Sequence, residues 1–180
     1  NQALYLNTLS RSYELVNIFD DYSFLIIDSN TERILSSSEF NQKKELCLNA
    51  AKKMNLKNLC EKEIISENDI QLLSDEEIKV CRHVVEENKR VKKAVQFLKD
   101  DNPKEFGKLM TESHSSLSKY YGVSTDELNT LVNLSNSFGA LGSKLTGAGF
   151  GGAVVTLVKN DKVEEFKKMI LENYKKAKFL

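Results

Sequence analysis

Phe138 to Val158 reads FGALGSKLTGAGFGGAVVTLV, and four of the chain's eight glycines fall within its six residues 147–152. Gly147, Gly149, Gly151 and Gly152 let the backbone take positive φ or approach another group with no Cβ in the way. Such a segment is a tight turn or a cradle for an anion, and its flanks narrow the field. AVVTLV, which follows, is a β-branched run of strand type. A dinucleotide fingerprint would open a helix here, and a P-loop would end in Gly-Lys-Ser or Gly-Lys-Thr, so both are excluded. Ser143-Lys144-Leu145-Thr146 on the other side reads as a second strand, which makes the glycines a hairpin-like connection. Ordinary hairpins need one or two glycines. A longer run of φ-permissive amides forms an anion-binding concavity suited to phosphate. Both readings stay open at this level.

Working outward, Ser124 with Glu127 forms a capping box for a helix to about Phe138, where Gly139 supplies a stop. Asn102-Pro103-Lys104-Glu105 places the only proline at the first position of a helix running to about Lys119. Ser74 with Glu77 starts the longest helix, about Asp75 to Lys99, with Ile78, Cys81, Val84 or Val85, Val91, Val95 and Leu98 as its apolar stripe. Lys89-Arg90 and Lys92-Lys93 fall mostly outside that stripe and read as a solvated face. Between Leu56 and Leu73 the pattern is weaker, with Ser66 and Asp69 spaced like a cap. An earlier helix, roughly Glu39 to Met54, gathers Phe40, Leu46 or Cys47, Ala50 and Ala51 on one side. Ala3–Asn7, Tyr13–Ile18 and Tyr22–Asp28 are β-prone runs. After the glycines, Asn160-Asp161 caps an amphipathic helix with Val163, Phe166, Ile170 and Tyr174 inward, and a closing strand begins at Phe179-Leu180. Without βαβ alternation, this is an α+β pattern: an antiparallel sheet packed against several helices.

The 180 residues suit a single domain or one large lobe, and Lys plus Arg balance Asp plus Glu at 26 each. A formally neutral chain has no global field for nucleic acid or an anionic membrane, so neither is an expected partner. No apolar run approaches a spanning helix and no signal peptide is visible, which reads as a cytoplasmic protein. Cys47, Cys60 and Cys81 lack CxxC or Cys/His ligand spacing, so reduced thiols rather than a metal site are expected. The chain starts at Asn1 and enters strand-like sequence by Leu4, as a piece of something longer would. His83 and His114 have no triad partners and read as structural, as do Ser113 and Ser116; Glu39 and Glu87 read as ion-pair partners.

Several blocks together resemble a known family. Residues 142–152 running into AVVTLV look like the third motif of the GHMP small-molecule kinases in its galactokinase version. Arg82-His83-Val84-Val85 with Glu87 and Arg90 is similar to the galactokinase segment RHVVxExxR. Phe106 to Val132 matches FGxLMxxSHxSLxxxYxVSxxELxxLV, and Phe24 to Asn30 with Ser37-Ser38-Glu39 is like the family's buried strand, turn and helix start. The resemblance runs from about Ala3 to Tyr174.

That resemblance implies a GHMP-kinase C-terminal, ferredoxin-like domain spanning 1–180. It implies a whole protein that transfers phosphate from ATP, with Mg2+, to the anomeric hydroxyl of galactose or a related hexose, and one that is monomeric by family habit. The family's substrate-recognition motif, Ser-rich phosphate loop and catalytic Asp have no counterpart here. Ser36-Ser37-Ser38 lacks the proline and glycine-leucine that precede that loop. The chain thus corresponds to the C-terminal half: no catalytic or metal-binding residue is assigned to it, ATP and Mg2+ are held mainly by the N-terminal half, and the piece alone is expected to be inactive. Gly147, Gly149, Gly151 and Gly152 are implied to lie near the phosphates and Phe40 near the sugar. Phe40 replaces the family's tyrosine and cannot donate its hydrogen bond, a loss of about 1 kcal/mol, or about 3 if a sugar hydroxyl is left unpaired. That change keeps open a kinase for another small alcohol. A catalytically silent sensor or binding protein is the alternative of a different class.

Overall fold

The first three β-prone runs fold as two separate units. Among the described residues, β1 (Gln2–Asn7) and β2 (Ser12–Asn17) pair only with each other as an antiparallel hairpin, whereas β3 (Tyr22–Asp28) enters a four-stranded sheet. The computed structural model describes residues 2–31 and 37–180, with backbone only at 37–40. The four-stranded sheet also contains β4 (Gly142–Thr146), β5 (Ala153–Lys159) and β6 (Lys178–Phe179), in the order β4-β5-β3-β6. Every neighbouring pair is antiparallel, so β3 and β4 run the same way with β5 between them. This is the split βαβ arrangement of the ferredoxin-like fold, as expected. Among the described residues its first crossover is enlarged to five α-helices: α1 (Ser37–Lys53), α2 (Glu67–Leu72), α3 (Asp75–Lys99), α4 (Pro103–Ser116) and α5 (Asp126–Ser137). The second crossover is α6 (Val163–Asn173).

Local chemistry explains the helix boundaries. Ser66 and Asp69, and Ser74 and Glu77, form reciprocal capping boxes, and Asn102 caps α4 through the Glu105 amide. α5 ends with Gly139 at φ 91°, where Gly139 N–H bonds Asn136 O and Ala140 N–H bonds Ser135 O, a Schellman stop. Two expected caps differ. Thr125, not Ser124, caps α5, because Ser124 Oγ donates to Asn129 Oδ1 instead. Asn160 does not cap α6: its side chain bonds Ser23 Oγ and Asp20 O, tying the end of β5 to the start of β3.

Strand register sets the two sheet faces. On one face Ile27, Leu145, Val154 and Val158 pack with Leu128, Leu131 and Val132 of α5 and Phe166 and Ile170 of α6, forming the main core. On the other, Leu157 and Phe24 pack with Phe19, Phe106 and Met110 beneath α4. The paired positions Lys144, Val155 and Ile26 lie on that second face, and Ile26 is left 40% exposed. Beyond the sheet, Ala50, Ala51, Leu59 and Cys81 join α1 to α3 in a small cluster. The α3 stripe is rotated from expectation: Val80 and His83 are buried with Cys81 and Val85, while Val91 is 42% exposed. Arg90 turns inward rather than sharing the solvated face of its lysine neighbours, because Glu87 holds it.

Candidate functional site

The glycine loop joins β4 to β5 and is built of backbone that side chains resist. Gly147, Gly149, Gly151 and Gly152 have φ of 84°, 82°, 112° and 85°, and Phe150 between them sits at 57°. Two anchors fix this shape. Ser29, fully buried at the end of β3, donates both its N–H (2.8 Å) and its hydroxyl (2.7 Å) to Gly152 O. Phe150 N–H donates to Val123 O at 2.7 Å. Gly149 is pressed so closely against that carbonyl that a Cβ would lie 2.2 Å from it. Tyr174 of the α6 terminus steadies Ser29 by donating its hydroxyl to the Ser29 carbonyl. Among the described residues, no acceptor outside the strand ladders meets the amides of Gly147, Ala148, Gly149 and Gly151. A rigid turn with uncommitted N–H groups can receive an anionic oxygen.

Behind the loop, α3, α4 and β4 are laced by a polar network. Glu87 accepts from Ser113 Oγ, from Lys144 Nζ at 3.2 Å and from Arg90 Nε at 2.7 Å, while Lys144 also reaches Ser113 Oγ at 2.7 Å. Burial would push the Glu87 carboxyl up, but Lys144, Ser113 and Arg90 outweigh it and hold the group below its usual range, as a carboxylate. His83 bonds Ser116 through Nδ1 at 2.9 Å and stacks near Tyr121, and burial lowers its pKa to about 4. Both rings of the chain are neutral near pH 7, since burial also lowers His114.

The four sequence-predicted glycines therefore meet in one loop between the ends of β4 and β5. Phe40 falls where side chains lie outside the described residues. Among the described residues no three His, Cys, Asp or Glu side chains gather as a metal site. Grooves of about 490 Å3 over α3 and α4, lined by Arg82, Glu86, Lys89 and Glu112, and about 470 Å3 by Lys108 and Asn136, lie away from the loop. Sequence reasoning missed Ser29 and Val123 as loop anchors. Their contacts span 123 and 27 residues, and a lone Ser or Val at such a distance gives no local signal.

A family model described as GHMP kinases C terminal matches residues 86–176. A galactokinase of Thermotoga petrophila is 36% identical over 178 residues, covering 98% of this chain and 50% of that protein. One from Clostridium acetobutylicum is 39% identical over 175 residues, covering 93% of this chain and 45% of its own length. The crystal structure of Lactococcus lactis galactokinase complexed with galactose superposes with a TM-score of 0.93 at 32% identity, over 99% of this chain and 50% of that one. The chain spans about half the length of the curated relatives it matches.

Proposed function

The chain belongs to the GHMP kinases, and on that premise we propose that residues 1–180 are the C-terminal domain of a galactokinase-like enzyme. The whole protein would transfer phosphate from ATP, with Mg2+, to the anomeric hydroxyl of galactose or a related hexose in the cytoplasm. One observation carries the reading: the glycine loop, with its uncommitted amides, sits in a domain that superposes on a galactokinase over 99% of its length.

In this proposal ATP supplies the transferable phosphoryl group and Mg2+ neutralises its charge, held by residues outside this chain. The loop's contribution is positional and electrostatic. Phosphoryl transfer depends on orientation and charge stabilisation, which fixed N–H groups supply without reorganising. Ser29 and Val123 keep those groups aimed, and Phe40 is assigned to the sugar. A second surface supports a further lobe: on the β1–β2 hairpin Leu4 faces Leu15 and Leu6 faces Tyr13, all between 51% and 70% exposed. Such a cross-strand apolar face calls for a cover, assigned here to the protein's own N-terminal lobe.

The test is an assay of the full-length protein with ATP, Mg2+ and a panel of hexoses and other small alcohols. Turnover of galactose or a close epimer is expected; phosphorylation of no sugar overturns the reading.

A further inference from the structure

We propose that His114 is a positioning residue that holds the glycine loop from both sides, a role whose kinetic consequence rests on the kinase reading above. β4 is an edge strand of the sheet, and its Leu145 N–H is taken by Nδ1 of His114 at 3.2 Å rather than by another strand. An imidazole nitrogen that accepts from an amide carries no proton, so the proton of this neutral ring is on Nε2. Nε2 stands 3.0 Å from Asn129 Oδ1 and donates to it. The same Oδ1 accepts from Ser124 Oγ at 2.8 Å. Ser124 follows Val123, whose carbonyl receives Phe150 N–H and lies against Gly149.

One ring on α4 thus grips the strand two residues before Gly147 and, through α5 and the 123–124 segment, the tip of the loop. A residue that only filled space would need neither nitrogen, and an apolar side chain would be no worse there. Instead a ring only 6% exposed has a specified tautomer with both nitrogens engaged. Small displacements of groups that meet a reacting phosphate are costly, with about 1 Å of misplacement worth roughly a hundredfold in rate.

The experiment compares His114→Leu and His114→Gln in the full-length protein. Gln offers a carbonyl oxygen to Leu145 and an N–H to Asn129; Leu offers neither. Expected for His114→Leu is a fall in kcat of about tenfold or more with sugar KM changed less than about threefold, and for His114→Gln recovery to within about threefold of the parent. Equal kinetics for His114→Leu and the parent, or no recovery in His114→Gln, overturns the proposal. If the parent itself turns over no substrate, the kinase reading falls and amide exchange decides this one: Leu145 and Phe150 must exchange faster in His114→Leu but not in His114→Gln. Should His114→Leu not fold, Ser124→Ala cuts only the outer arm. Faster exchange at Phe150 with Leu145 unchanged supports the proposal, and no change at Phe150 refutes it.

Discussion

His83 couples stability to pH, and the direction follows from its burial. The ring titrates near 6.5 when solvated but about 4 in place, where burial disfavours the charged form despite the nearby Glu87 carboxylate. Between those values the unfolded chain binds more protons than the folded one, so stability present above pH 6.5 drains away as pH falls toward 4. His114 is shifted the same way and adds to the slope. Asp69, held at about 2 by Lys62 and Ser66, stays ionised in the fold and adds to the loss only at the acid end of this window, where the unfolded carboxyl begins to protonate. Thermal and denaturant unfolding at pH 7.5 and 4.5 should show the parent losing on the order of 2 kcal/mol more than His83→Gln. Parallel pH dependence of the two proteins would mean that His83 takes up its proton in the fold as readily as in the unfolded chain. From sequence, both histidines were readable as structural; that the two do different work, one bonding Ser116 and one an edge-strand amide, was not, because neither partner is a near neighbour.

Among the elements, α4 and β4 meet more closely than side chains allow. A Cβ on Gly142 would stand 1.8 Å from Gly107 O, and one on Gly107 would stand 2.4 Å from Leu141 O, so helix and strand touch backbone to backbone. That contact lets Ser113 and His114 of α4 reach Lys144 and Leu145 of β4. Gly142→Ala should therefore push the two elements apart, costing about 3 kcal/mol or more because backbone cannot yield as a flexible side chain does. Urea unfolding measures this, and a loss below about 0.5 kcal/mol would show that α4 slides without penalty. Helix boundaries were legible because capping residues act within a turn: Ser74 and Glu77, Ser66 and Asp69, Asn102 and Pro103 announce them. The inward Arg90 was not legible, since its partner Glu87 is itself fixed by Ser113 and Lys144, 26 and 57 residues away.

At the scale of the whole molecule, the α+β sheet and the glycine hairpin could be read from pattern, but the separation of β1–β2 from the main sheet could not. All three early runs have similar β-prone composition, and only pairing distinguishes them: β3 joins β5 more than a hundred residues on. The consequence is a two-faced hairpin. Ala3, Tyr5 and Val16 face one way, with Val16 5% exposed and Glu14 bonded to Lys99 of α3 at 2.7 Å. Leu4, Leu6, Tyr13 and Leu15 face the other and are open. Four large apolar side chains side by side on a strand pair are a surface suited to association rather than ordinary solvated surface. If the N-terminal lobe covers them, each is a core residue in the full-length protein despite its exposure here. Leu15→Glu in that protein should then cost about 2 kcal/mol or more, against a few tenths at a truly exposed position. Denaturant unfolding of the full-length protein decides between these. A change within about 0.5 kcal/mol would leave the hairpin solvated and remove this surface as an interlobe contact.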